Sequence, residues 1–119
     1  MEKEKIAELD AELYKLRAQV RLARKLVEVV RNDTQMRRKL LNELYKLAIR
    51  QVRWDARFLR ILDEALREER RRTRGKPADF RENLQHVKRM NVDAVQLQED
   101  VAQCFAPLSV QDPRLFEYS

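Results

Sequence analysis

The chain has 119 residues with one glycine, three prolines and one cysteine. Too few turn residues are present for the many reversals of a sheet-rich fold, and a lone Cys104 excludes an internal disulfide or a cysteine-only zinc site. Charged residues make up 39% of the chain and net charge is +6, while no apolar run approaches the roughly 18 residues needed to cross a bilayer.

Charged residues at Met1 to Lys5 argue against a secretory signal, so an intracellular protein, cytoplasmic or nuclear, is expected. The charge is unevenly placed. Residues 1–33 hold 8 basic and 7 acidic side chains, residues 34–76 hold 14 and 6, and residues 77–119 hold 4 and 7. The basic character belongs to the middle third.

In chain order, Ile6, Leu9, Leu13, Leu16, Val20, Ala23, Val27 and Val30 alternate steps of three and four. This spacing predicts a first helix near 2–31 with a coiled-coil seam. Leu22, Leu26 and Val29 add an adjacent stripe, which widens the apolar face and implies more than one neighbour. Asn32, Asp33 and Thr34 then interrupt both stripes with turn-forming and capping side chains. They favour a tight hairpin over one continuous helix to Arg74.

A second helix near 34–74 carries Leu40, Leu44, Leu47, Gln51, Trp54, Phe58, Ile61 and Ala65 on one stripe. Leu41, Tyr45, Ala48, Val52, Leu59, Leu62 and Leu66 form a second beside it. Two stripes exceed the apolar face of a one-sided surface helix, so this element is expected to lie centrally. Gly75 and Pro77 mark a boundary, and Asp79 with Glu82 approximates a capping box for a third helix near 79–106. Its predicted seam is Phe80, Asn83, Val87, Met90, Ala94, Leu97, Val101 and Cys104, with Asn83 as a register-setting polar residue and Pro107 as the stop.

The expected fold is therefore all-α: an elongated antiparallel three-helix coiled-coil bundle over 1–106, followed by a non-helical C-terminal tail over 107–119. Leu108, Val110, Leu115, Phe116 and Tyr118 make that tail a segment for packing on the bundle or docking on a partner. Heptads are shared by many unrelated proteins, and no motif here is specific enough to carry residues across from a family.

Catalytic chemistry has little to work with. His86 is the only imidazole, and there is no glycine-rich phosphate loop, no HExxH and no cysteine and histidine at metal spacing. No enzyme activity, cofactor or metal is expected, and His86 reads as an edge residue beside Val87. Trp54 and Phe58 read as core, because they lie opposite the basic residues with which stacking aromatics would have to interleave.

The distinctive feature is a basic line on the second helix. Lys46, Arg50, Arg53, Arg57, Arg60, Arg67, Arg71 and Arg74 follow helical steps over roughly 40 Å, about 150° from the middle of the apolar face. Arg70, Arg72 and Lys76 extend the cluster, giving a polyanion-binding candidate: Arg50, Arg53, Arg57, Arg60, Arg67, Arg70, Arg71, Arg72, Arg74 and Lys76. Guanidinium groups pair bidentately with phosphate or carboxylate. The competing expectation is internal neutralisation, by Glu4, Glu8 and Glu12 of the first helix and Asp93, Glu99 and Asp100 of the third.

Unequal helices leave part of the second uncovered unless another chain completes it. The sequence thus favours a structural or adaptor subunit, a non-catalytic scaffold that assembles by helix packing into a homo- or hetero-oligomeric complex. The expected partner-helix seam is Ile6, Leu9, Leu13, Leu16, Leu59, Leu62 and Leu66. The alternative is a basic module that grips nucleic acid or an acidic protein surface, such as a cytoskeletal one, through its arginines. A membrane-surface role is disfavoured, since a bundle would consume the apolar face that insertion needs.

Overall fold

The computed structural model describes residues 3–71 and 78–110, and of residues 78, 79, 109 and 110 the backbone alone. Among these, all residues outside the turn at 31–33 are helical, in α1 (Lys3–Val30), α2 (Thr34–Arg71) and α3 (Ala78–Val110). The helices pack side by side into a rod with principal extents of 60 × 25 × 16 Å.

The seams follow the heptad spacing closely. In α1 the buried residues are Ile6, Leu9, Leu13, Leu16, Val20, Ala23, Val27 and Val30. In α2 they are Leu40, Leu44, Leu47, Gln51, Trp54, Phe58 and Ala65. Each fully buried large aliphatic or aromatic side chain is worth about 1.5–3 kcal/mol of transfer free energy, set against the conformational entropy of ordering the chain. Local propensity alone would not hold helices of this kind apart from their partners.

The turn after α1 is the predicted hairpin. Asp33 N–H donates to the Val30 carbonyl at 3.0 Å, and Arg37 N–H donates to the Asp33 carbonyl at 2.9 Å. The Asp33 carboxylate accepts from the backbone amides of Gln35 and Met36, both at 3.1 Å. Asp33 is therefore the N-cap of α2: its side chain satisfies two amides that have no partner inside the helix, which makes a second helix start where the first one stops.

Contacts between the helices give an up-down-up order. Arg50 reaches Gln19 at 3.5 Å and Arg57, seven residues later on α2, meets Glu12, seven residues earlier on α1, at 2.9 Å, so α2 runs antiparallel to α1. Gln98 Nε2 donates to Asp55 at 3.0 Å, while Tyr45 meets Phe105 with ring centroids 5.2 Å apart, so α3 runs antiparallel to α2. The far end of α2 lies against the start of α3, where Ala65, Phe80 and Leu84 form a second small core.

Three details of α3 differ from the sequence expectation. Leu84, not Asn83, occupies the seam and is buried, because Phe80, Leu84 and Val87 satisfy the same four-three spacing with an apolar residue. The helix also passes through Pro107 to Val110. Leu108 falls one step beyond Cys104 on the seam and is 1% exposed, and its burial offsets the one backbone hydrogen bond a proline removes. The expected stop at 106 therefore moves outward, and residues 111–119 lie outside the described chain, as do the Gly75–Pro77 boundary and the Asp79 capping side chain.

The third detail concerns charge. Asp93 and Asp100 face α1 and not the second helix: Arg17 pairs with Asp93 at 3.3 Å and Arg24 with Asp100 at 4.0 Å. One heptad earlier, Asp10 Oδ2 stands 2.9 Å from His86 Nε2. Each of these pairs follows the last by one heptad on both helices, as expected where parallel helices flank a shared seam.

Candidate interaction surfaces

The apolar residues expected to form a partner seam separate into two groups. Ile6, Leu9, Leu13 and Leu16 are at most 6% exposed and belong to the core of the chain itself. They close a seam within the chain, and in this fold they offer no surface to another protein. Leu62 and Leu66 are half-buried, and Leu59 is 58% exposed.

Leu59 belongs to a longer exposed stripe. Tyr45, Ile49 and Val52 are 57%, 52% and 65% exposed and stand on α2 at helical spacing, with exposed Ala56 completing the run to Leu59. Val95 of α3 is 51% exposed. The Asp55–Gln98 and Tyr45–Phe105 contacts set the level of one helix against the other and place Val95 opposite Leu59, on the flank of α3 that faces α2. Continuous exposed apolar surface of this kind on a small protein marks an interaction site more often than scattered single residues do.

The basic line occupies the other flank and the back of α2. From Tyr45 to Leu62 the helix carries Lys46, Arg50, Arg53, Arg57 and Arg60 against a single acid, Asp55. Asp55 is turned toward α3, where it accepts from Gln98 and from Gln51 at 3.4 Å. Arg57 pairs with Glu12 of α1 at 2.9 Å, yet both side chains are about half exposed, at 50% and 45%. Such a pair contributes little stability.

Glu12 is the one acid of another helix that pairs with the basic line among the described residues. Lys46 and Arg67 pair within α2, with Glu43 and Asp63, both at 3.1 Å. Arg50 reaches Gln19 at 3.5 Å. Arg60, Arg70 and Arg71 are exposed, whereas Arg72, Arg74 and Lys76 lie outside the described residues. Between α1 and α2, Lys15, Arg50, Arg53 and Arg57 line an open groove of about 340 Å³ together with Glu12, Leu16, Gln19 and Trp54. It continues past Gln19 and Arg50 into a groove of about 200 Å³ that includes Leu22, Leu26 and Lys46.

Trp54 and Phe58 are 1% and 2% exposed, stacked at 4.9 Å with an interplanar angle of 16°. They are core residues. Cys104 is fully buried, its Sγ placed 3.8 Å from the Val20 carbonyl. Burial pushes its thiol above the ordinary value, with Arg24 opposing and Asp100 adding to the shift. Among the described residues no group of three or more His, Cys, Asp or Glu could hold a metal ion, and no helix is long and apolar enough to cross a membrane.

Sequence reasoning grouped Tyr45, Val52 and Leu59 with the second apolar stripe of α2 but did not separate its exposed part from its covered part. Val95 was missed. Its signal is a valine outside the α3 seam, three residues from another, Val92, which is 68% exposed.

Compared with models of protein families, with curated proteins and with solved structures, the chain matches none of them.

Proposed function

We propose that this protein is a non-catalytic structural or adaptor subunit, which joins a larger intracellular complex by packing a helix of a partner against its own. The observation that carries this reading is the exposed apolar stripe of Tyr45, Ile49, Val52 and Leu59, bordered by Val95 of α3. A bundle whose own seams are full has no folding reason to keep this second stripe apolar, whereas a helix-in-groove contact requires it. The reading is tested by sizing native extract that contains the chain, in wild-type form and with Val52→Asp and Leu59→Asp together. Wild type is expected to elute well above its monomer mass and the double variant to return to it with helicity unchanged. Coincident elution of the two at monomer mass overturns the proposal.

A second reading rests on the groove where Lys15, Arg50, Arg53 and Arg57 converge. Under it the chain grips nucleic acid or another polyanion through α2. Affinity for duplex DNA would then fall steeply with salt and little with sequence. Substitution of Arg50, Arg53 and Arg57 by glutamate would abolish it without altering assembly. A flat salt response removes this alternative.

A further inference from the structure

The assembly reading leaves the partner undefined, and the surroundings of the apolar stripe narrow it. Resting on that reading, we infer that the occupant is an acidic amphipathic α-helix of another protein. This helix lies along α2 with its apolar side on Ile49, Val52, Leu59 and Val95 and its carboxylates on Arg53 and Arg60.

The argument begins with shape. Ile49, Val52, Ala56 and Leu59 repeat in steps of four and three along one helix, so they present a straight apolar line. A second helix meets such a line with residues at the same spacing, whereas an extended strand or a loop, with a period of two or none, does not. On one side the line is bounded by α3, which supplies Val95 at the level of Leu59. On the other side it is bounded by Arg53 and Arg60. Neither arginine has an ion pair among the described residues, and both are exposed.

Charge then selects the occupant. Across the whole of α2, 11 basic residues stand against 6 acidic ones. In the stretch from Tyr45 to Leu62, Asp55 is the only acid of α2, and its carboxylate accepts from Gln51 and Gln98. On the flank of α3 that carries Val95, the exposed charged residues at heptad steps are Arg81 and Lys88, the latter pairing with Glu69 at 3.6 Å. A second copy of this chain is a poor occupant: a two-fold contact sets the same patch against itself, arginine line against arginine line. A helix with glutamate or aspartate beside its apolar stripe gains bidentate pairs at the edge of the contact, where they set orientation and suppress wrong partners.

The test uses the full chain and a labelled synthetic helix about three heptads long, with leucine at the seam positions and glutamate beside them. Two control peptides carry lysine in place of glutamate, or the same composition with the leucines scrambled. Fluorescence anisotropy is expected to show binding of the acidic helix, and at least tenfold weaker binding of both controls. Val52→Ser with Leu59→Ser should weaken the acidic helix tenfold or more. These positions are exposed, so helicity is expected to persist, and circular dichroism checks it. Arg53→Glu with Arg60→Glu should reverse the preference and admit the lysine peptide.

Equal binding of the acidic and lysine helices, or binding untouched by the Val52 and Leu59 substitutions, overturns the inference. So does a homodimer of the chain alone that the same two substitutions dissolve, although that result leaves the assembly reading standing. Anionic vesicles bound through Val52 and Leu59, with no peptide bound, likewise overturn the acidic helix as occupant. Monomer-mass elution of the wild-type chain from extract overturns the assembly reading itself.

Discussion

Trp54 links α1 to α2 by both its ring and its indole nitrogen, and its replacement isolates how much of the hairpin depends on one side chain. The ring is 1% exposed and stacks on Phe58, while Nε1–H donates to the Leu9 carbonyl at 2.8 Å. Trp54→Ala removes the buried ring and leaves a cavity between helices, a change that costs about 3–5 kcal/mol. Trp54→Phe keeps an aromatic ring against Phe58 but loses the donor, and its cost is about 1–2 kcal/mol. Domains of this size are stable by only about 5–15 kcal/mol, so the alanine variant should lie close to unfolding. Urea denaturation followed by circular dichroism reads both effects, and for typical slopes the alanine variant should lose about 2 M in midpoint. Trp54 is the only tryptophan, so its fluorescence in the wild type is a second readout: a buried indole resists acrylamide quenching until the chain unfolds. A midpoint within about 0.5 M of wild type for Trp54→Ala, together with solvent-like quenching, would refute the placement of this ring in the core.

Asp33→Ala should cost about 1 kcal/mol in the same denaturation assay and Asp33→Asn much less, because the asparagine oxygen can still accept from the amides of Gln35 and Met36. A double-mutant cycle on Glu12 and Arg57 should return a coupling below about 1 kcal/mol that fades in high salt, as expected of a half-exposed pair. Cys104 should react with iodoacetamide far more slowly in the native protein than in denaturant. Because burial raises its pKa above the ordinary 9.0, the unfolded thiol ionises first, unfolding releases a proton, and wild type should lose stability relative to Cys104→Ala as pH rises past about 9. Melting temperatures of the two forms across that range check the sign.

The heptad spacing made nearly all of the core legible, because burial in a helical bundle follows from position on the wheel and little else. A cap at Asp33 or Thr34 was legible for an equally local reason, and Asp33 supplies it. What periodicity does not encode is which neighbour stands on which side. The handedness of an up-down-up bundle decides whether the flank holding Asp93 and Asp100 meets α1 or α2, and both choices satisfy the same seam. It is for this reason that the acids expected beside the arginines appear beside Arg17 and Arg24. Nor does a heptad reveal whether its partner is another segment or another molecule. Ile6, Leu9, Leu13 and Leu16 satisfy either geometry, and the length of α2 and α3 covers them from within the chain. At Asn83 and Leu84 two readings of the spacing compete by one residue, and the hydrophobic side chain takes the seam.

The handedness has a consequence for function. Had the bundle wound the other way, Asp93 and Asp100 would flank α2 and offset part of its arginine line. As it stands, α3 directs these acids to α1, which has arginines of its own at the matching heptads, and turns Gln98, Val95 and Phe105 toward α2. The arginine line of α2 is thereby left without these two carboxylates, on the same helix whose second apolar stripe is partly exposed. One arrangement of three helices accounts for both features, and under the proposed contact a single kind of surface, an apolar line edged with carboxylates, would meet both.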